Sequence, residues 1–211
     1  MDQHEVLHIM RHFKVIMSGH FIYTGGNHGS GYINKDAIYP HTRATSQFCQ
    51  AIAEEFAIDE VEVVIAPAIG GVILSQWVAY HLSVMTNREV LGVYAEKSED
   101  GKSFLIKRGY DKFIAGKNVL VAEDILTTGG SVKKVIEAVR AIGGKVVGVG
   151  ALCNRGGVAL KDISNPPKLF VLVDNSLDMW DAKDCPLCQQ GVPINTDVGK
   201  GREFLARKQH A

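Results

Sequence analysis

Residues 119–131 read VLVAEDILTTGGS, and the order of residue types in this stretch decides the fold. Val119, Leu120, Val121 and Ala122 form an apolar run of the kind buried on both faces of a parallel sheet. Glu123 and Asp124 stand where that strand is expected to end. Ile125, Leu126, Thr127, Thr128, Gly129, Gly130 and Ser131 then lead into a helix-periodic run. Glycine lets the backbone approach an anion closely. The first N–H groups of a helix lack internal partners and sit at the positive end of its dipole. Strand, loop and helix start therefore make a cradle for phosphate. Two carboxylates would repel a phosphate that they faced. They are expected instead to accept hydrogen bonds from sugar hydroxyls or to help hold a divalent cation. The stretch predicts a site for a phosphorylated sugar.

Outward from it, the periodicity predicts strands over 61–67, 90–95, 104–108, 117–122, 145–152 and 169–173. Helices are expected over 4–17, 42–57, 70–82 and 131–142, the last ended by Gly143 and Gly144. Residues 19–31 read as a glycine-rich passage. Strands alternating with helices imply an α/β fold, a mostly parallel sheet with right-handed crossovers, and ligands outside the carboxyl ends of the strands. A second strand–loop–helix passage, APAIGGV at 66–72, offers another anion loop through Ala68, Gly70 and Gly71. Two cradles in one sheet suit a substrate phosphorylated at both ends.

The 211 residues suit one α/β domain with a small appended lobe. Basic and acidic residues balance at 23 each, which argues against nucleic acid or an anionic membrane as partner. No apolar run reaches the roughly 18 residues that span a bilayer, and residues 1–14 lack a signal-peptide core. Four cysteines without such a signal point to the cytosol.

The 119–131 stretch resembles the phosphoribosyl-pyrophosphate signature of the type I phosphoribosyltransferases, in the variant found in the orotate branch. The resemblance runs from about His20 to Arg155 and more loosely beyond. It implies a Rossmann-like core over about 58–175 and a small hood built from about 1–45 and 176–211. It further implies a catalytic loop, Mg²⁺ bound mainly through the diphosphate with possible help from Glu123 and Asp124, and a homodimer. The implied substrates are phosphoribosyl pyrophosphate and orotate. On this resemblance Glu123 and Asp124 hold the ribose, Thr127 to Ser131 the 5′-phosphate, and the 66–72 loop with Lys97 the pyrophosphate, with Ile125 and Leu126 also among the contacts to phosphoribosyl pyrophosphate. Asp124, Lys97 and Lys102 are the implied catalytic groups. Arg155, Thr127 and Tyr32 are the implied orotate contacts, with Lys35 able to neutralise phosphate.

The loop YAEKSEDGKSFLIKRGY, 94–110, departs from the family pattern. Lys97 and Gly101 match it, but Glu96 replaces an arginine, and no histidine is present. The second lysine appears as Asp100 or is lost to a shorter loop, with Lys102, Lys107 and Arg108 as substitutes. The lysine expected near the base appears as Thr24. A transferase for another nucleobase, or a non-catalytic sensor of the diphosphate sugar, remain alternatives.

Cys185-Pro186-Leu187-Cys188 has the spacing of half a zinc knuckle. Cys49, Cys153, His20, His28, His41 and His81 are distant in sequence. The preferred reading is two unligated thiols in a turn, with completion in space or by a partner chain left open.

Overall fold

A computed structural model of the chain describes residues 1–175 and 177–209. Residues 176, 210 and 211, all within the expected 176–211 part of the hood, lie outside the described residues.

The main sheet holds six strands: β3 (Val63–Pro67), β4 (Leu91–Lys97), β5 (Phe104–Leu105), β6 (Asn118–Leu126), β7 (Lys145–Asn154) and β8 (Leu169–Asp174). Their order is β5-β4-β3-β6-β7-β8, parallel except for the antiparallel β5. This is the expected α/β architecture. Both faces are apolar because alternate residues of each strand enter separate cores. Val64, Ala66, Leu120 and Ala122 pack with Phe48 and Ile52 of α2 (Thr42–Glu55), with Phe56 just beyond its end, and with Leu74, Val78 and Leu82 of α3 (Gly71–Thr86). Val63, Ile65, Val119 and Val121 pack with Val132, Val135, Ile136 and Val139 of α5 (Gly130–Ala141). The latter four follow the i, i+3, i+4, i+7 spacing of a helix face. The short helix α4 (Asp111–Ile114) precedes β6.

From β3 the chain moves outward to β4 and β5, then returns to β6 on the other side of β3. Strand order therefore reverses between β3 and β6, and a crevice opens at their carboxyl ends. Both anion loops lie there.

Two expectations are corrected. The helix α1 (Gln3–His12) is shorter than 4–17. Asp2 and Glu5 close its start as a capping box, but Lys14 takes a left-handed conformation at φ 55° and turns the chain. The passage 19–31 contains strands: β1 (Ile16–Ile22) and β2 (His28–Ile33) pair antiparallel, with β9 (Met179–Trp180) on the far side of β2. Glycine hid β2 from periodicity and has a packing reason. Any side chain at Gly29 would strike the Tyr23 ring, and the Tyr23 hydroxyl donates to the Gly31 carbonyl at 2.6 Å. The short helix α6 (Pro186–Gln189) and α7 (Gly201–Gln209) complete this smaller layer.

Candidate active site

β6 does not end before the carboxylates. It continues through Leu126, because Ile125 and Leu126 pair with Cys153 and Asn154 of β7. Glu123 and Asp124 are adjacent residues near the end of β6, and their carboxyls lie close enough to interact. Both are buried.

Asp124 meets Lys35. The Lys35 Nζ donates to Asp124 Oδ2 at 2.6 Å, and the Tyr39 hydroxyl donates to the same oxygen at 3.2 Å. The other oxygen, Oδ1, accepts the Ile125 N–H at 2.7 Å. Burial alone would lower the Lys35 pKa, but the hydrogen bond and charge of Asp124 outweigh it and raise it. Burial, then the charge of Asp124, pushes the Tyr39 hydroxyl up as well. Lys35, expected to neutralise phosphate, pairs with Asp124 in a part-buried ion pair and also lines the groove described below. Gly70 closes against this pair: a Cβ there would run into Asp124 Oδ2 and Lys35 Nζ.

Glu123 accepts the Asp124 N–H at 3.0 Å. Burial, reinforced by the charge of Asp124, raises its pKa. A carboxyl held protonated can donate one hydrogen bond and accept another, which suits a vicinal diol. The raised value also sets a sign. Between the ordinary glutamate pKa of about 4.3 and the raised one, the folded chain binds a proton that the unfolded chain has lost. The contribution of Glu123 to stability therefore falls as pH rises through that window. Glu123→Gln should flatten this slope and be more stable than the parent at about pH 9, with little difference at about pH 4. Urea unfolding at both pH values measures it. A steeper slope in the variant would refute the assignment.

The signature loop follows. Thr127, Thr128 and Ser131 are exposed, while Gly129 is buried at φ 73° and precedes α5. The Thr128 hydroxyl receives the Gly130 N–H at 3.4 Å. Across β3, Ala68, Gly70 and Gly71 lie at the start of α3, where the Ala68–Ile69 peptide is cis.

A groove of about 1080 Å³ runs from the loop after β3 to the end of β4, lined by Lys35, Tyr39, Ala68, Gly70, Lys97 and Arg108 among others; the signature-loop residues are not among its lining residues. Lys97 therefore reaches the groove; Lys102 is not among its lining residues. The 98–103 segment is a closed turn: Ser98 and Ser103 bond at 3.0 Å, and Asp100 accepts from the Ser98 hydroxyl at 2.6 Å and the Lys102 N–H at 3.0 Å. These two bonds hold the Asp100 carboxyl below its usual range. Asp100 ties its own turn together. Glu96 grips Arg108 at 2.6 Å and Lys107 at 3.8 Å. Sequence alone missed this clamp, although opposite charges twelve residues apart across an expected hairpin were the available signal.

A second pocket of about 430 Å³ is lined by Tyr23, Tyr32, Arg155, Met179 and Lys200 among others. Arg155 and Tyr32 line the same pocket, and the guanidinium lies 5.4 Å from the centre of the Tyr23 ring. Thr127 adjoins them through backbone: the N–H groups of Arg155 and Gly156 donate to the Leu126 carbonyl, and a Cβ at Gly156 would collide with the Thr127 carbonyl. Thr24 also lines this pocket, and Lys200, from the chain's far end, supplies a cation beside it. Of the cysteine and histidine candidates, His20 and His28 lie beside Cys185 and Cys188. His41 stacks on Phe13 and His81 bonds the Ser46 hydroxyl, both elsewhere.

A family model described as a phosphoribosyl transferase domain matches residues 36–184. Orotate phosphoribosyltransferase from Desulforamulus reducens is 38% identical over 194 residues, 92% of this chain and 95% of the relative. The protein of that name from Caldanaerobacter subterraneus subsp. tengcongensis is 35% identical over 194 residues, 92% of this chain and 96% of its own. Among solved structures, Mycobacterium tuberculosis H37Rv orotate phosphoribosyltransferase in complex with Fe(III) dicitrate superposes at a TM-score of 0.66 and 22% identity, covering 82% of this chain and 97% of that one. Aeropyrum pernix orotate phosphoribosyltransferase superposes at 0.62 and 21% identity, over 80% and 93% of the two chains. The structural likeness supports the fold, and the sequence likeness carries the rest: the chain belongs to the orotate phosphoribosyltransferase family.

Proposed function

We propose that the chain transfers ribose 5-phosphate from phosphoribosyl pyrophosphate to orotate, giving orotidine 5′-monophosphate and pyrophosphate. The observation that carries this reading is the pairing of a phosphate-suited groove with a pocket walled by Arg155, Tyr23 and Tyr32. A guanidinium fork matches a carboxylate, which orotate has and uncharged pyrimidines lack. In this reading the signature loop and α5 take the 5′-phosphate, Glu123 and Asp124 the ribose hydroxyls, and Ala68 to Gly71 with Lys97 the diphosphate. Positive charge grows at ribose C1 as negative charge builds on the departing pyrophosphate. Fixed cations at the leaving group lower that barrier, and no covalent protein intermediate is needed.

Mg²⁺ suits this site as a companion of the diphosphate. Asp124 already engages Lys35, Tyr39 and its neighbouring N–H, and Glu123 favours its protonated form, so the carboxylates make a poor direct cage. Bound there, Mg²⁺ would neutralise pyrophosphate oxygens. Lys97 is the groove lysine best placed to assist; Lys102 is not placed with it.

Loss of orotate absorbance, with Mg²⁺ and phosphoribosyl pyrophosphate supplied, tests the whole reading. Arg155→Ala should raise the orotate KM about 10²-fold, the worth of a charge-assisted bidentate contact. Lys97→Ala should lower kcat about 10²-fold or more, and Lys102→Ala by less than about threefold. Tight binding of the diphosphate sugar without turnover would indicate the sensor instead. Unchanged orotate kinetics in Arg155→Ala would point to another base.

The same reading makes the enzyme a cytosolic homodimer. Its four cysteines form no disulfide among the described residues, as suits a reducing compartment. No helix among the described residues is long and apolar enough to cross a membrane. The outer face of α3 leaves Ile73, Tyr80, Val84 and Met85 exposed, an apolar stripe at helical spacing that suits a second copy. Light scattering should give a dimer for the parent and a monomer for a Tyr80→Asp, Val84→Asp variant.

A further inference from the structure

We propose that His20, His28, Cys185 and Cys188 form a structural zinc site that staples the smaller layer together beneath the base pocket. One ligand-capable atom from each of the four lies within 4.8 Å of all the others. His20 Nε2 is 2.9 Å from His28 Nδ1, 3.6 Å from Cys185 Sγ and 3.7 Å from Cys188 Sγ. Cys188 Sγ is 3.3 Å from His28 Nδ1. A tetrahedral zinc with Zn–N of about 2.1 Å and Zn–S of about 2.3 Å requires N···N of about 3.4 Å and N···S of about 3.6 Å. The side chains stand close to that arrangement, so small rotations suffice to seat the ion.

Three further features fit a closed site. Three of the four, His20, His28 and Cys185, are fully buried, as expected of ligands in a structural centre, and Cys188 closes the cluster from the surface side. The Nδ1–H of His20 donates to the Val192 carbonyl at 2.8 Å, which leaves the Nε2 lone pair aimed at the cluster. Such a backbone partner typically fixes the tautomer of a metal-bound histidine. The Cys-Pro-Leu-Cys turn puts both sulfurs on one side, with Cys185 at the start of the short helix Pro186–Gln189.

The ligands come from β1, β2 and the 185–188 turn. β2 also pairs with β9 through His28–Trp180 and Gly29–Met179, and Met179 lines the base pocket. A metal here would fix the walls that Tyr23, Tyr32 and Met179 present. The ion is far from the reaction in role: it shapes the pocket and takes no part in bond making.

Metal analysis of the purified full chain, expressed with zinc and without chelator, should find about one zinc per chain. Cys185→Ala and Cys188→Ala should each drop this at least tenfold. Cobalt added to the chelator-stripped parent should give the intense visible absorption of a tetrahedral ion bound by two thiolates, and Cys188→Ala should lose the sulfur charge-transfer band. Zinc should raise the melting temperature of the stripped parent and leave that of Cys188→Ala unchanged. A parent chain free of zinc, with intact mass showing either the fully reduced thiols or a Cys185–Cys188 disulfide, would overturn the proposal. Zinc retained in full by both alanine variants would do the same. None of these readouts depends on orotate turnover, so the site and the proposed reaction can fail separately.

Discussion

Gly129→Val should destabilise the chain by about 2–5 kcal/mol and lower its melting temperature by roughly 5–15 °C. Two effects add. Gly129 sits at φ 73°, a conformation that a β-branched residue adopts at a cost of about 1–2 kcal/mol. A Cβ there would also press on Ile163 and on Val158, whose Cγ1 would stand 3.0 Å away. Both are buried members of the core beneath α5, so overpacking adds about 1–3 kcal/mol. The neighbouring glycine is the control. A Cβ at Gly130 meets only the Thr128 hydroxyl, at 3.4 Å, and its φ is ordinary, so Gly130→Ala should fold like the parent. Urea unfolding of the three proteins separates the cases, and equal stability of Gly129→Val and parent would sink the packing account. Because Gly129 immediately precedes α5, the variant should also lose phosphate affinity at temperatures where it is still folded.

The contrast shows what a sequence of this kind discloses. The two glycines are indistinguishable in the string Thr-Thr-Gly-Gly-Ser, yet one is fixed by backbone and core and the other has room for a side chain. The core strands were legible because β3 and β6 are apolar on both faces, a pattern that needs no partner to be recognised. The end of β6 was not, since the hydrogen bonds that carry it past Glu123 and Asp124 come from β7, and polarity suggested a stop. β1 and β2 were hidden for a related reason. Their glycines make room for the Tyr23 ring and other side chains, and a residue chosen for its missing side chain leaves no periodicity. Of the histidine–cysteine cluster, the Cys185–Cys188 half was legible, but which of the remote residues complete it was not: His20 and Cys185 are 165 residues apart in the chain. Only the layering of β1 and β2 against the 185–192 segment brings them together. Lys97 was legible from loop position, whereas the Glu96–Arg108 clamp depends on how β4 and β5 close.

Asp124→Asn should reduce kcat/KM about 10²–10³-fold, the effect typical of removing one preorganised charged or donor group from a reacting centre. Asp124 combines three tasks in one carboxylate. It fixes Lys35, receives Tyr39, and stands against Gly70 at the other anion loop. An asparagine keeps the shape but loses the charge, and Lys35 would then turn toward the groove and bind the substrate's phosphates in the ground state. The diphosphate sugar should consequently bind no more weakly while kcat falls, a split that a simple loss of folding would not give. Lys35→Met should also be harmful, because it strips the buried carboxylate of its cation and exposes substrate phosphates to it. The double variant decides whether the two act as one device. If they do, Lys35→Met with Asp124→Asn should be little worse than Asp124→Asn alone, a coupling of about 1–3 kcal/mol in transition-state binding. Strict additivity would mean that the ion pair is incidental and that each residue meets the substrate by itself. A magnesium titration gives the remaining distinction: rescue of Asp124→Asn by excess Mg²⁺ would assign the carboxylate to the metal. Failure of rescue, with the coupling intact, assigns it to the ribose and to Lys35, the role that its three hydrogen bonds favour.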